Sequence, residues 1–225
     1  MGVTREVPPV PTDEAAARAQ RDLVRHGYDV ISRAYRTDDG ASHPSTGENA
    51  SRYRLWVAEL AGLLPAQARV VDLGCGAGVP GTLALTAPGL HVLGVDFSAV
   101  QLARAARLVP AARFVRADMA EFQLRPASVD AVTAFYSLIH LPLADQQALL
   151  PRIRAWLRPG GYLLAVVGAA WWTGTEPYLG ADMFWDHADT HAYLRWFQES
   201  RLMPVWHRFV PEGNTGHGLI LATAS

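Results

Sequence analysis

Three carboxylates fall at matched places in this chain, each at the end of a short apolar run: Val70-Val71-Asp72, Gly94-Val95-Asp96 and Val115-Arg116-Ala117-Asp118. Asp72 is placed to attract an ammonium group. Asp96 can accept hydrogen bonds from both hydroxyls of a ribose. Asp118 can accept from an adenine amino group, with Met119 packing on the ring. Any one of these acids alone also reads as a helix cap or a loop residue. Between the first two lies the turn Gly74-Cys75-Gly76-Ala77-Gly78, whose glycines let the backbone come close to a ligand. A dinucleotide fingerprint would need glycine at 79, where Val79 stands, and Asp72 would repel a pyrophosphate.

These residues need a frame that brings strand ends together. From residue 69 onward, short apolar runs (69–73, 90–95, 113–117, 129–135, 161–168) alternate with helical stretches (80–87, 98–109, 144–157). Such alternation predicts an α/β, Rossmann-like doubly wound sheet, because parallel neighbours need crossover helices. Two further strands, at about 203–210 and 217–223, flank a Pro-Glu-Gly-Asn turn and predict an antiparallel C-terminal hairpin at the sheet edge. Upstream, a proline-rich tail precedes a helix capped by Thr12 and running to about 35. A polar loop at 37–47 and a helix at about 48–64 follow. The expected organisation is a tail and helical lid at 1–65 and a Rossmann-like domain at 66–225, with an aromatic, irregular insertion at about 169–187.

The segments VVDLGCGAG, GVDFS, ADM, DAVTAFYSLIHLP and LRPGGYLL, in this order, resemble the successive motifs of class I methyltransferases, especially the small-molecule branch that includes ubiquinone/menaquinone-type and secondary-metabolite enzymes. The resemblance covers roughly residues 25–168. It implies S-adenosylmethionine as methyl donor, with S-adenosylhomocysteine as product, bound by Asp72, Gly74, Gly76, Asp96, Phe97, Ser98, Ala117, Asp118 and Met119. It also implies that the loop after the fourth strand, Phe135, Tyr136 and Ser137, touches the donor's methionine half. Tyr28 and Tyr35 match lid tyrosines of that family, although core packing explains them equally well.

The acceptor side is less defined. Trp171, Trp172, Tyr178, Met183, Phe184 and Trp185 are the expected walls of a pocket, since small-molecule sites are lined mainly by aromatic and apolar groups. His187, beside Trp185, is the first choice as general base. His140 follows the Phe135–Ser137 loop and is the second choice, with structural capping as its competing role. His207 and His217, on the last strands, read as outward-facing or packed. His187 and His191, four apart, would share a helix face like a metal pair, but Ala188 stands where a zinc-protease pattern needs glutamate, and no metal is expected.

Composition narrows the alternatives. A net charge of −1, without a basic stripe, gives no footprint for nucleic acid. The lone Cys75 excludes an internal disulfide. The N-terminal residues lack the apolar core of a signal peptide, so a cytoplasmic protein is expected, away from membranes, acting as a monomer or homodimer on a small-molecule acceptor. An NAD-dependent oxidoreductase is disfavoured by Asp72 and Val79, and also by the absence of a Tyr-x-x-x-Lys pair: all 20 basic residues are arginine. A relative that keeps the donor as a scaffold without transferring methyl stays open.

Overall fold

The computed structural model describes residues 14–39 and 50–225. The expected Thr12 cap, the proline-rich tail and most of the polar loop lie outside the described residues. Helix α1, Glu14–Tyr35, carries an acid in its first turn and buries Val24 and Ile31. Helix α2, Ala50–Ala61, turns Tyr53, Trp56, Val57 and Leu60 inward against Val70, Leu85 and Leu221.

The alternating segment then unfolds as expected. It comprises β1 (Arg69–Leu73), α3 (Gly81–Thr86), β2 (His91–Asp96), α4 (Ala99–Leu108), β3 (Arg113–Arg116), β4 (Val129–Ala134), α5 (Leu143–Trp156) and β5 (Leu157–Gly168). Strands β1 to β5 are parallel. All six residues of β4 are buried, as befits a strand covered on both faces. The last helix α6 (Thr190–Glu199) leads to β8 (Leu202–Glu212) and β9 (Thr215–Ala224). Strand β9 runs antiparallel to β5, from Tyr162↔Thr223 to Gly168↔His217, and β8 closes the edge. The seven-stranded order is β3-β2-β1-β4-β5-β9-β8. The order reverses between β1 and β4, and the crevice beyond their carboxyl ends is where such sheets hold ligands.

The expected irregular insertion is instead a second, two-stranded sheet. Strands β6 (Trp172–Tyr178) and β7 (Ala181–His187) pair in register from Trp172↔His187 to Tyr178↔Ala181. Their two-residue turn holds Leu179 at φ 52° and Gly180 at φ 96°. Helix α1 lies across β7 and reaches α4. Because His187 ends a strand and His191 begins a helix, the two do not share a helix face.

Candidate active site

The turn after β1 is built to pass close to other groups. Gly74 and Gly76 take φ +68° and +55°, conformations that side chains with a Cβ rarely adopt. A Cβ on Gly74 would lie 2.3 Å from Ser137 Cβ, whereas one on Gly76 would meet nothing within 4 Å. The Gly76 N–H donates to Asp96 Oδ2 at 2.9 Å, and the Ser98 N–H donates to Oδ1 at 2.9 Å. Asp96 is thus fixed at the end of β2. Burial pushes its carboxyl up to about 6 despite those two donors, with help from the charges of Asp29 and Asp72.

Asp96 lines a cleft with Gly74, Gly76, Phe97, Ala117, Asp118, Met119, Phe135, Tyr136 and Ser137, roofed by Val24, Tyr28 and Tyr35 of α1. Its empty space, open mouth included, is about 620 Å³. Among the described residues, two carboxylates and no arginine line it. That set suits a ligand with hydroxyl and amino donors and a cationic centre, and it offers no counter-charge to a pyrophosphate. S-adenosylmethionine fits these residues.

Two acids differ from the sequence expectation in their surroundings. Asp72 does not line this cleft. It faces a neighbouring recess with Gly74, Gly76 and Gly81, and its oxygens accept the hydroxyls of Thr82 at 2.7 Å and Thr133 at 2.8 Å. Burial pushes its carboxyl to about 6. Asp118 lines the cleft but is already held: Arg21 Nε donates to Oδ2 at 2.8 Å, and the Ala120 N–H donates to Oδ1 at 2.9 Å. Arg21 also pairs with Asp145, and so ties the roof helix to the floor. Neither threonine nor Arg21 stood out in the sequence, because each acts through a partner more than 9 residues away. Ser98 is fully buried and caps α4, accepting from the Gln101 N–H at 3.0 Å and donating to Asp29. It does not line the cleft.

A second cavity adjoins the first, with about 650 Å³ of empty space. Tyr28, Tyr35, Tyr136 and His140 line both and form the partition. Tyr136 sits at φ 56° between β4 and a one-turn 3₁₀ helix, Leu138–His140, a strained placement for a bulky residue. The remaining walls are Ile139, Tyr178, Trp185, Glu212, Thr215 and His217. Tyr178 and Trp185 share a face of the small hairpin, their rings 5.4 Å apart and perpendicular.

The other expected acceptor residues lie elsewhere. Trp171 and Trp172 are 42% and 46% exposed and line neither cavity. The Trp171 indole N–H donates to Asp189 at 3.1 Å. Met183 and Phe184 are buried beneath α1 with Val24 and Ile31, the hairpin's own core. His187 lines none of these cavities; its Nδ1 lies 2.6 Å from the Ala170 carbonyl, and burial lowers its basicity.

His140 stands in the partition with both nitrogens engaged. Nδ1 lies 2.9 Å from the Phe184 carbonyl, so it carries the proton, and Nε2 accepts from the Tyr28 hydroxyl at 2.8 Å. Burial pushes it down to about 4. It holds the partition rather than offering a lone pair. His217, by contrast, lines the second cavity and is packed there, as one of its two expected readings had it, against the edge-on Tyr136 ring. It is opposite Gly168 at the carboxyl end of β5, the ligand end of the sheet. The Glu212–His217 spacing across a Pro-Glu-Gly-Asn turn was the signal for this, readable only with the pairing of β9 known.

Comparison with known proteins agrees with this geometry. Residues 70–161 match the family model described as "Methyltransferase domain". Trans-aconitate 2-methyltransferase of Paracidovorax citrulli is 41% identical over 102 residues, 44% of this chain and 38% of that enzyme. The chain thus spans about two fifths of that relative's length. Among solved structures, Burkholderia thailandensis 1,6-didemethyltoxoflavin-N1-methyltransferase, with S-adenosylhomocysteine bound, superposes with TM-score 0.68 at 21% identity. That match covers 98% of this chain and 93% of that one. The [4+2]-cyclase SpnF superposes with TM-score 0.70 at 18% identity, covering 96% and 97%. At these identities the two structures speak for the fold alone. Motif order, sheet topology and the matched segment converge: residues 70–161 match a methyltransferase domain, set in a Rossmann-like sheet.

Proposed function

We propose that this chain transfers the methyl group of S-adenosylmethionine to a small acceptor with an aromatic ring, seated in the second cavity. One observation carries the reading. The cleft at the β1/β4 crevice, lined among the described residues by two carboxylates and no arginine, shares a wall of three tyrosines and a histidine with an aromatic chamber. In that arrangement Asp96 takes the ribose, while Asp118 and Met119 take the adenine. Phe135, Tyr136 and Ser137 flank the methionine half. Tyr178 and Trp185 supply the flat apolar faces for an acceptor ring. The names of the relatives, which include acceptors as small as trans-aconitate, support a small-molecule substrate.

The donor brings a methyl group already activated on a sulfonium. The chain's part is to align the acceptor and keep water out, and alignment alone can supply about 7–11 kcal/mol of the barrier. Titration calorimetry with S-adenosylmethionine, S-adenosylhomocysteine and NAD tests the donor assignment: the first two should bind and NAD should not. Tritiated methyl transfer onto an acceptor panel tests the reaction. Tight S-adenosylhomocysteine binding with no label transferred to any acceptor would instead favour a scaffold role.

A further inference from the structure

The acceptor chamber contains a charged, hydrogen-bonded cluster that the motifs do not account for. His217 Nδ1 lies 3.0 Å from Glu212 Oε2, and the Tyr136 hydroxyl donates to Oε1 of the same carboxylate. Arg52 Nη1 stands 3.9 Å from that oxygen. The Glu212 side chain is only 10% exposed, so its two oxygens are committed by geometry and not by chance contact at a surface. A carboxylate facing Nδ1 holds the proton on that nitrogen and leaves Nε2 with a lone pair. Among the described residues, no group donates to His217 Nε2. The Tyr136 ring packs edge-on against the imidazole at 5.1 Å, and the His187 ring is 6.4 Å away. Tyr136 is also the residue that lines both cavities. Glu212 and His217 therefore stand beside the partition through which a methyl group would pass, whereas the two nitrogens of His140 are spent on Phe184 and Tyr28.

Resting on the methyl-transfer reading, we infer that His217 is the general base for an acceptor carrying an ionisable hydroxyl on an aromatic ring, with Glu212 as its positioning residue. The acceptor O–H proton passes to His217 Nε2. The oxygen's electron pair forms the new bond to the methyl carbon, and the carbon–sulfur bond breaks with its pair remaining on sulfur as a neutral thioether. The imidazolium left behind is stabilised by the Glu212 carboxylate until it loses its proton to solvent.

The test uses 4-nitrophenol, whose phenolate is coloured, with the full chain saturated by S-adenosylhomocysteine in mildly acidic buffer where free dye is colourless. Wild type should bind the dye and develop the phenolate band. His217→Gln should bind dye but lose the band, and Glu212→Gln should weaken it. Imidazole ¹⁵N spectra should show the Nδ1–H tautomer of His217 in wild type and its loss in Glu212→Gln, a change that a merely structural glutamate would not produce. With an identified acceptor, kcat of His217→Gln should fall about 100-fold or more with little change in the donor's affinity. No phenolate band in wild type, or an undiminished band in His217→Gln, overturns the inference. Absence of S-adenosylhomocysteine binding overturns the donor assignment itself, so the two failures are distinguishable by calorimetry.

Discussion

At Gly74 a single added methyl group would collide with Ser137 and force a left-handed backbone on a residue that resists it. Gly74→Ala should lower S-adenosylhomocysteine affinity at least about 10-fold and destabilise the fold by about 1–3 kcal/mol, measured by calorimetry and thermal melting. Asp96 supports a prediction in pH. Its carboxyl holds a proton up to about 6 in the fold, where an unfolded aspartate releases near 3.9. The folded chain then binds more protons than the unfolded one between those values. Asp96's contribution to stability is full below about 3.9 and is lost as pH rises through 6. Donor hydroxyls favour the ionised form, so ligand affinity runs the other way. Over about pH 4–6 Asp96 should take stability from the free protein, while S-adenosylhomocysteine binding tightens as its carboxyl ionises near 6. Asp96→Asn should flatten the binding slope and remove Asp96's share of the stability slope, leaving the like-signed share of Asp72 and the opposing one of His140. The acids at 72, 96 and 118 were legible as a set because each ends an apolar run. Their actual partners, Thr82, Thr133 and Arg21, were not, because hydrogen bonding across 10, 61 and 97 residues leaves no local trace.

Elements place the roof over the cleft. Helix α1 crosses β7 so closely at Gly27 that a Cβ there would stand 2.9 Å from Met183 Cε and 3.0 Å from the Asp182 carbonyl. On an isolated helix, replacing glycine would gain up to about 1 kcal/mol. Here the backbone oxygen cannot retreat as a methionine end can, and Gly27→Leu should lower Tm and loosen the roof, read as faster amide exchange across α1. Arg21→Ala leaves Asp118 and Asp145 without their cation and should cost about 2 kcal/mol, below a fully buried pair because both acids are about a quarter exposed. The amphipathic pattern of α1 was plain from sequence; its partner was not. The hairpin it covers turns through Leu179, and leucine is a poor advertisement for a turn that needs positive φ at both central residues. The aromatic segment consequently read as irregular, and Met183 and Phe184 as pocket walls.

For the whole molecule, the doubly wound parallel sheet with its antiparallel edge hairpin was legible from strand–helix alternation, since parallel neighbours need crossover helices. Which final-strand side chain would face the site was not. That depends on the β5–β9 register, a long-range pairing that puts His217 beside Gly168. Because the cleft lies between roof, glycine turn and sheet, a ligand filling it should stabilise the entire fold. S-adenosylhomocysteine at about 100 times its Kd should add about 2.7 kcal/mol, raising Tm by roughly 5–10 °C for a chain of this size, with NAD giving no shift.

The partition between the two chambers has a practical corollary. The carboxylates and glycines of the donor side lie within the recognised segment, residues 70–161, whereas Tyr28, Tyr35, Tyr178, Trp185, Glu212, Thr215 and His217 all lie outside it. On the proposed reading, acceptor preference can therefore be changed through one helix and two hairpins, without touching the segment that holds the donor-side carboxylates and glycines.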